Sequence, residues 1–427
     1  MVKVAKSLTV PQIFFNDRHI GGASELLELP KEDFLAFIDE VDQAGDPENL
    51  EIFSRPSTAP APAPVASPRR NESIQIGDQL HSFVQSTILL EKEFGSKRFS
   101  KVQLEQYLKT LGGNSETGKD LFEFGVIVKV DGDFMLPKYA SPNNVLNSYR
   151  VWNDRIDEPL LVVKLLKKML SKVVGKYRDS EGLVDYLAAG QDELFSDFEE
   201  ASCEIQGIKL ALMENDARLA FGINLYNLMI THAFIKVGAP TNAGERSKFF
   251  PVVSYNVGGD VFSFSTLENG VLRGNKPAPP FYLKNPIGKK DPRINAVLEM
   301  DNLYMVHFAL NCGAKSCPPI KTFSAEAVHE ELEIVATAFL EQSQNCSVDE
   351  STGTLTLSKI LSWYASDFGS SKTQIALTVK NYLNDDDAAA VQRIVDSGKL
   401  KIKYSHYDWS SDAKRTVTIG GSACIIS

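Results

Sequence analysis

One histidine, two cysteines and two asparagines mark where this chain could do covalent chemistry. His307 precedes Cys312 and Cys317 in the run His307-Phe308-Ala309-Leu310-Asn311-Cys312-Gly313-Ala314-Lys315-Ser316-Cys317-Pro318-Pro319. A cysteine beside a histidine that an amide orients is a nucleophilic arrangement: the ring takes the thiol proton and the third group fixes the ring. Tyr304–Leu310 reads as an apolar strand, which places His307, Ala309 and Asn311 on one face. Asn224 and Asn227 lie upstream on a helix spanning Arg218–Val237 that is apolar nearly all round and so buried. At about 100° per residue, Asn224, Asn227 and Thr231 fall within roughly 60° of one another, with His232 nearby. In this reading His307 is the base, Cys312 or Cys317 the nucleophile, and Asn224 or Asn227 the orienting amide. The structural alternative makes His307 a hydrogen-bonded core histidine and Cys312 small core filler.

Other polar residues carry weaker signals. Cys312 and Cys317 touch the spacing range of zinc ligands, but a second ligand pair is lacking, so neither metal nor cofactor is expected. Glu268, Asn269 and Arg273 fall on a turn between strand candidates. There Arg273 could hold a carboxylate or phosphate with its bidentate geometry, or pair with a glutamate. Asp367 is expected to cap a helix or position Arg293, and Trp363 and Tyr364 to fill the core.

The elements around these residues imply a multidomain α+β chain. At 427 residues it is long enough for two or three domains. A net charge of −10 argues against broad nucleic-acid binding, which needs clustered Lys and Arg. No apolar run is long enough to span a bilayer. Five scattered cysteines read as reduced thiols of a cytoplasmic protein. Residues 1–45 read as a short strand-and-helix unit, and 46–73 as a Pro/Ala-rich spacer. Residues 74–150 read as three helices followed by a hairpin at Asp131-Gly132, with the first helix over Gln79–Phe94. That is a winged-helix order. Residues 151–214 read as a helical connector and 215–410 as a large α+β domain. There the strand candidates are Val252–Val257, Val261–Phe264 and Lys401–Tyr404, and the helices Ala325–Gln342, Thr373–Tyr382 and Ala388–Val395. A tail, 411–427, closes the sequence.

Three segments resemble known families. Thr9-Val10-Pro11, Gln12–Phe15 and His19-Ile20-Gly21-Gly22 resemble the second half of a glutaredoxin, a thioredoxin-fold protein. The resemblance implies glutathione contacts at Val10, Pro11, Ser24 and Glu25. Residues 1–45 hold no cysteine, so this segment is expected to be a remnant, or to lack its true N-terminus, and to have no redox activity. Phe99–Val102, Gly118–Gly125, Val126-Ile127 and Asp131–Phe134 resemble a DEP domain, which implies a protein partner or an acidic membrane surface. Residues 215–410 are similar to domain-of-unknown-function family 547. The similarity runs through Asn224–Asn227, Leu267–Asn275, Asp291–Arg293, His307–Pro319, Leu357–Tyr364, Asp367–Gly369 and Tyr407–Trp409. Family membership supplies no chemistry. The order of long helix and histidine-bearing segment also resembles papain-like folds, although Asn224 stands where those carry cysteine.

Cys424-Ile425-Ile426-Ser427 has the C-a-a-X form of a farnesylation signal. One lipid anchors weakly, and Lys414 and Arg415 form a meagre basic patch, so the DEP-like unit would supply the second membrane contact. The leading expectation is a cytoplasmic signalling or adaptor protein, peripherally attached to membrane through that prenyl group. The rival is a thiol-dependent hydrolase or transferase built on His307 and Cys312 or Cys317. The third is a glutathione-linked oxidoreductase remnant. Replacing Cys424 by Ser is expected to move the chain from membrane to soluble fraction in cell fractionation, and unchanged partitioning would exclude the anchor.

Overall fold

The computed structural model describes residues 13–15, 18–21, 73–141, 144–279 and 284–417. The chain divides into a unit of residues 1–67 and a unit of residues 68–426. In the first, Ile13–Phe15 pairs antiparallel with Arg18–Gly21 through a bulged register. Val10, Pro11, Ser24, Glu25 and Cys424 lie outside the described residues.

In the second unit, residues 73–136 build a small core of their own from Ile74, Ile76, Phe83, Leu90, Leu104, Leu108, Leu121 and Leu136, among others. Helices over Phe83–Phe94, Lys101–Thr110 and Ser115–Glu123 precede the hairpin Val128–Val130 and Asp133–Met135. Ser100 and Asn114 each close a capping box, which satisfies the first free N–H groups of the second and third helices. The expected helix over Gln79–Phe94 starts four residues late, because Gln79–Ser82 pairs with Ser73–Ile76 as a further hairpin. Gly77 allows that turn. Its φ is +62°, and a side chain there would meet the Leu111 carbonyl oxygen at 2.6 Å. Ser82 then caps the helix by accepting from the Gln85 N–H. Leu80, on that hairpin, is 70% exposed.

The expected connector is part of the large domain. Helix Pro159–Lys176 buries Val163, Leu166, Leu170 and Val173 in the same core as Phe221, Leu225 and Phe308. At the centre of that core runs helix Asn215–Lys236, with 17 of its 22 residues buried. A helix so completely covered is stabilised by packing and not by an amphipathic face. The sheets are small. Ser254–Val257 and Asp260–Ser263 form an antiparallel hairpin. Thr354–Leu357 pairs antiparallel with Cys346–Asp349 and parallel with Lys401–Tyr404. Helices Val328–Leu340 and Lys372–Lys380 fall on the expected segments but end two residues early, and Asp385–Asp396 spans the third.

Two local expectations fail where periodicity is silent. Leu303–Phe308 is a 3-10 helix instead of a strand, entered from Asn302 at φ +58°. A short apolar run does not distinguish the two. Thr266–Leu272 is a π-helix instead of a turn, which puts Glu268 and Asn269 into the interior. No described helix is long and apolar enough to cross a membrane.

His232 makes this core pH-sensitive. Its ring is enclosed edge-on by Phe195, Phe198 and Tyr255, with Nδ1 2.5 Å from the Tyr255 hydroxyl. Nε2 is buried without a partner among the described residues. Burial, with a smaller contribution from Lys236, holds its pKa well below the ordinary imidazole value. The unfolded chain therefore binds a proton that the folded one refuses. The linked stability is complete above the unfolded value of about 6.5 and is lost as pH falls below it toward the folded value, by up to about 1.4 kcal/mol per pH unit. Urea midpoints are expected to drop on acidification, and a His232→Gln variant to show a shallower drop.

Candidate functional site

The 3-10 turn aims His307 at the short helix Ala365–Phe368. His307 Nε2 lies 2.8 Å from Asp367 Oδ2. Arg273 closes on the same carboxylate in bidentate fashion, with Nε 2.7 Å from Oδ2 and Nη2 3.0 Å from Oδ1. Lys276 Nζ adds a contact of 3.2 Å to Oδ1. The side chains of His307 and Asp367 are each 2% exposed and that of Arg273 1%. Tyr364 stacks on the His307 ring at 3.8 Å, and the Arg273 guanidinium lies 4.7 Å over the Tyr364 ring.

Charge follows from this geometry. Burial opposes ionisation of Asp367, but the hydrogen bonds from His307 and Arg273 outweigh it and hold its carboxyl far below the usual range. For His307 burial is the larger effect and Asp367 the smaller, so its pKa lies below the ordinary value. A neutral imidazole beside an ionised carboxylate must carry its proton on Nε2, as donor to Asp367. Nδ1 is then unprotonated and able to accept a proton.

A second cluster forms in the loop that follows. Gly313 turns at φ +78° with its face against the Phe234 ring, where an added Cβ would come within 2.1 Å. The turn sets Cys312 Sγ 2.9 Å from Cys317 Sγ, and the Cys312 N–H donates to Cys317 Sγ over 3.1 Å. The Tyr407 hydroxyl reaches both sulfurs, at 3.1 Å from Cys317 and 3.6 Å from Cys312. Arg246 donates to the carbonyls of Cys312, Pro240 and Trp409. The hydrogen bond with Cys317, then the Arg246 charge and Tyr407, draw the Cys312 thiol well below an ordinary one. Burial and the neighbouring Cys312 push Cys317 up. Cys203 and Cys346 are buried, which pushes each up to about 12.

The expected orienting amides do other work. Asn224 bonds the backbone of Phe323 through both Nδ2 and Oδ1, at 2.7 and 3.0 Å. Asn227 bonds the Ala309 carbonyl and the Asn311 N–H, each at 2.9 Å. Each side chain imitates a peptide group, and together they hold residues 309–323 to the central helix. The group on His307 is therefore Asp367, not an asparagine. Nor does Arg273 stand free for an anion. Its remaining Nη1 donates to Asn269 Oδ1 and the Pro277 carbonyl, at 2.6 and 3.1 Å. Asp367, read as a partner for Arg293, lies with Arg273 instead, while Arg293 pairs with Asp291 at 2.6 Å.

One cavity of about 510 Å³ joins the two clusters. His307, Cys312, Cys317, Glu268 and Asn269 line it together with Tyr226, Tyr364 and Arg246. Glu268 accepts from the Tyr226 and Tyr364 hydroxyls at 3.1 and 2.5 Å. Trp363, Tyr407 and Trp409 pack ring on ring along an apolar wall, with centroids 4.6 to 5.0 Å apart. No hydrogen bond joins His307 to either cysteine; they meet across the cavity. Among the described residues no group of three His, Cys, Asp or Glu side chains is arranged to hold a metal. Sequence reasoning missed Arg246 and Tyr407 as neighbours of the thiols, and took Tyr364 for core. The aromatic Tyr407-Asp408-Trp409 triplet was the available signal.

Replacing Asp367 by Asn would leave Arg273 buried without its counter-charge. Denaturant unfolding is expected to show a loss of about 3–5 kcal/mol. Replacing the half-exposed Lys276 by Met should cost less than about 1 kcal/mol.

Residues 210–340 match the family model described as a protein of unknown function, DUF547. No curated protein and no solved structure matches the chain. The matched span carries Glu268, Arg273, His307, Cys312 and Cys317, whereas Tyr364, Asp367 and Tyr407 lie beyond it.

Proposed function

We propose that the large domain is a thiol-dependent hydrolase or transferase acting on acyl groups. The observation that carries this reading is the shared cavity. It sets a cysteine of lowered pKa and a neutral, carboxylate-held histidine on the same space. Cys312 is the nucleophile. Its thiolate attacks the acyl carbonyl, a thioester forms and the leaving group departs, taking a proton from solvent. His307 Nδ1 then takes a proton from the attacking water or acceptor alcohol, the thioester breaks to regenerate the thiolate, and the imidazolium returns its proton to solvent. The gap between His307 and the cysteines is compatible with this role, since catalytic hydrogen bonds often close only when substrate is bound. The aromatic wall of Trp363, Tyr407 and Trp409 suits an apolar acyl chain.

The test uses the reduced full chain and p-nitrophenyl esters of short fatty acids. A burst of nitrophenolate is expected, with the acyl mass found on the peptide that contains Cys312. Cys312→Ala should abolish both. His307→Gln should keep the burst and slow turnover by about 10²–10⁴-fold, and Cys346→Ala should behave as wild type. Undiminished acylation in Cys312→Ala would overturn the reading.

A peripheral signalling role is a second proposal. It is supported by the helix–helix–helix–hairpin order of residues 83–135.

A further inference from the structure

Two sulfurs at 2.9 Å are closer than packing requires. The loop between them is already closed by its own hydrogen bonds. Asn311 Nδ2 donates to the Pro318 carbonyl over 2.7 Å, Gly313 N to Asn311 Oδ1 over 2.6 Å, and Cys317 N to the Ala314 carbonyl over 3.0 Å. Outside the loop, Lys315 N and Ser316 N bond the carbonyls of Ser410 and Asp408, and Asn227 holds the Asn311 N–H. The chain entropy of bringing the two cysteines together is therefore spent in the reduced fold. A bond between them needs the sulfurs to approach by less than about 1 Å to reach disulfide length.

Access differs among the cysteines as sharply as geometry does. Cys203 and Cys346 are buried, whereas Cys312 and Cys317 are partly exposed. Cys312 opens on the cavity with His307. Cys317 lines that cavity and also a second one of about 630 Å³. A small oxidant or reductant thus has two cavities through which to meet the pair.

We propose that Cys312 and Cys317 form a reversible dithiol–disulfide couple whose oxidant is a hydroperoxide. The Cys312 thiolate attacks the terminal peroxide oxygen. The O–O bond breaks, the alkoxide leaves and takes a proton from solvent, and Cys312 becomes a sulfenic acid. The Cys317 sulfur then attacks Cys312 Sγ, the S–O bond breaks, and water leaves with the Cys317 proton. In sum, two thiols and one hydroperoxide give one disulfide, one alcohol and one water. Two electrons pass from the sulfurs to the peroxide. Two equivalents of glutathione reverse it by thiol–disulfide exchange, leaving the dithiol and glutathione disulfide. The Tyr407 hydroxyl, in contact with both sulfurs, is a positioning group. The couple stands on the geometry of the pair and not on the acyl-transfer reading.

Lys315 lies between the two cysteines, which supplies the readout. The reduced full chain is exposed to hydrogen peroxide, free thiols are blocked with N-ethylmaleimide, and tryptic peptides are weighed. Cleavage after Lys315 separates Cys312 from Cys317 in the reduced chain. In the oxidised chain the two peptides should stay joined, two hydrogens lighter than their sum, and glutathione should separate them. In Cys317→Ser, Cys312 should stop at the sulfenic acid, be captured by dimedone, and form at least about tenfold faster than at Cys346, because the thiolate is the reacting species. Tyr407→Phe should slow linkage while leaving the urea midpoint of the chain close to wild type. Peptides that stay separate at every peroxide concentration, or sulfenylation of Cys346 as fast as that of Cys312, would overturn the proposal. Linkage in a chain that never acylates would leave this couple standing and remove the acyl-transfer reading.

Discussion

Asp367 is buried with a full negative charge, and much of the large domain is arranged around that fact. An isolated carboxylate in such a place would cost several kcal/mol. Here it is met by the Arg273 fork, by His307 Nε2 and by Lys276. Arg273 in turn needs its remaining donors filled, which Asn269 and the Pro277 carbonyl do. The π-helix Thr266–Leu272 matters for the same reason. Its wider turn carries Asn269 inward beside Arg273 and presents Glu268 to the two tyrosines. One charge thereby fixes three chain segments and the tautomer of a histidine.

The thiol cluster depends on a different constraint, the central helix. Asn224 and Asn227 are polar residues on a helix that is mostly apolar and covered. Unpaired, each amide would cost about 1–3 kcal/mol. Paired to backbone, they pin the loop that carries Cys312 and Cys317, and Phe234 on the same helix supports Gly313. The helix is thus the common reference against which the charged cluster and the sulfurs are placed on one cavity.

The sequence made much of this legible. The buried helix, the helical segments after residue 325 and the thiol loop stand out from apolar spacing and glycine placement, and His307 and Cys312 do share a cavity. What spacing could not convey is partnership over distance. Asp367 is 60 residues from His307 and 94 from Arg273. A nearer arginine, Arg293, offered itself as its partner. Asn224 and Asn227 looked like catalytic amides because their bonds to Phe323 and Ala309 are invisible to periodicity. The strand reading of Tyr304–Leu310 failed because a short apolar run fits a buried 3-10 turn equally well. Residues 151–214 looked like a connector because their partner, the central helix, lies on the far side of the expected boundary.

The central claim is that Asp367 holds His307 neutral, protonated on Nε2 and bare on Nδ1. Nitrogen-15 spectroscopy on histidine-labelled chain tests it directly, with His307→Gln identifying the signal among the six histidines. Near neutral pH the account predicts a protonated Nε2 and an unprotonated Nδ1 at His307, still neutral at a pH where exposed histidines have become charged. A doubly protonated ring, or a proton on Nδ1 with Nε2 bare, would contradict it.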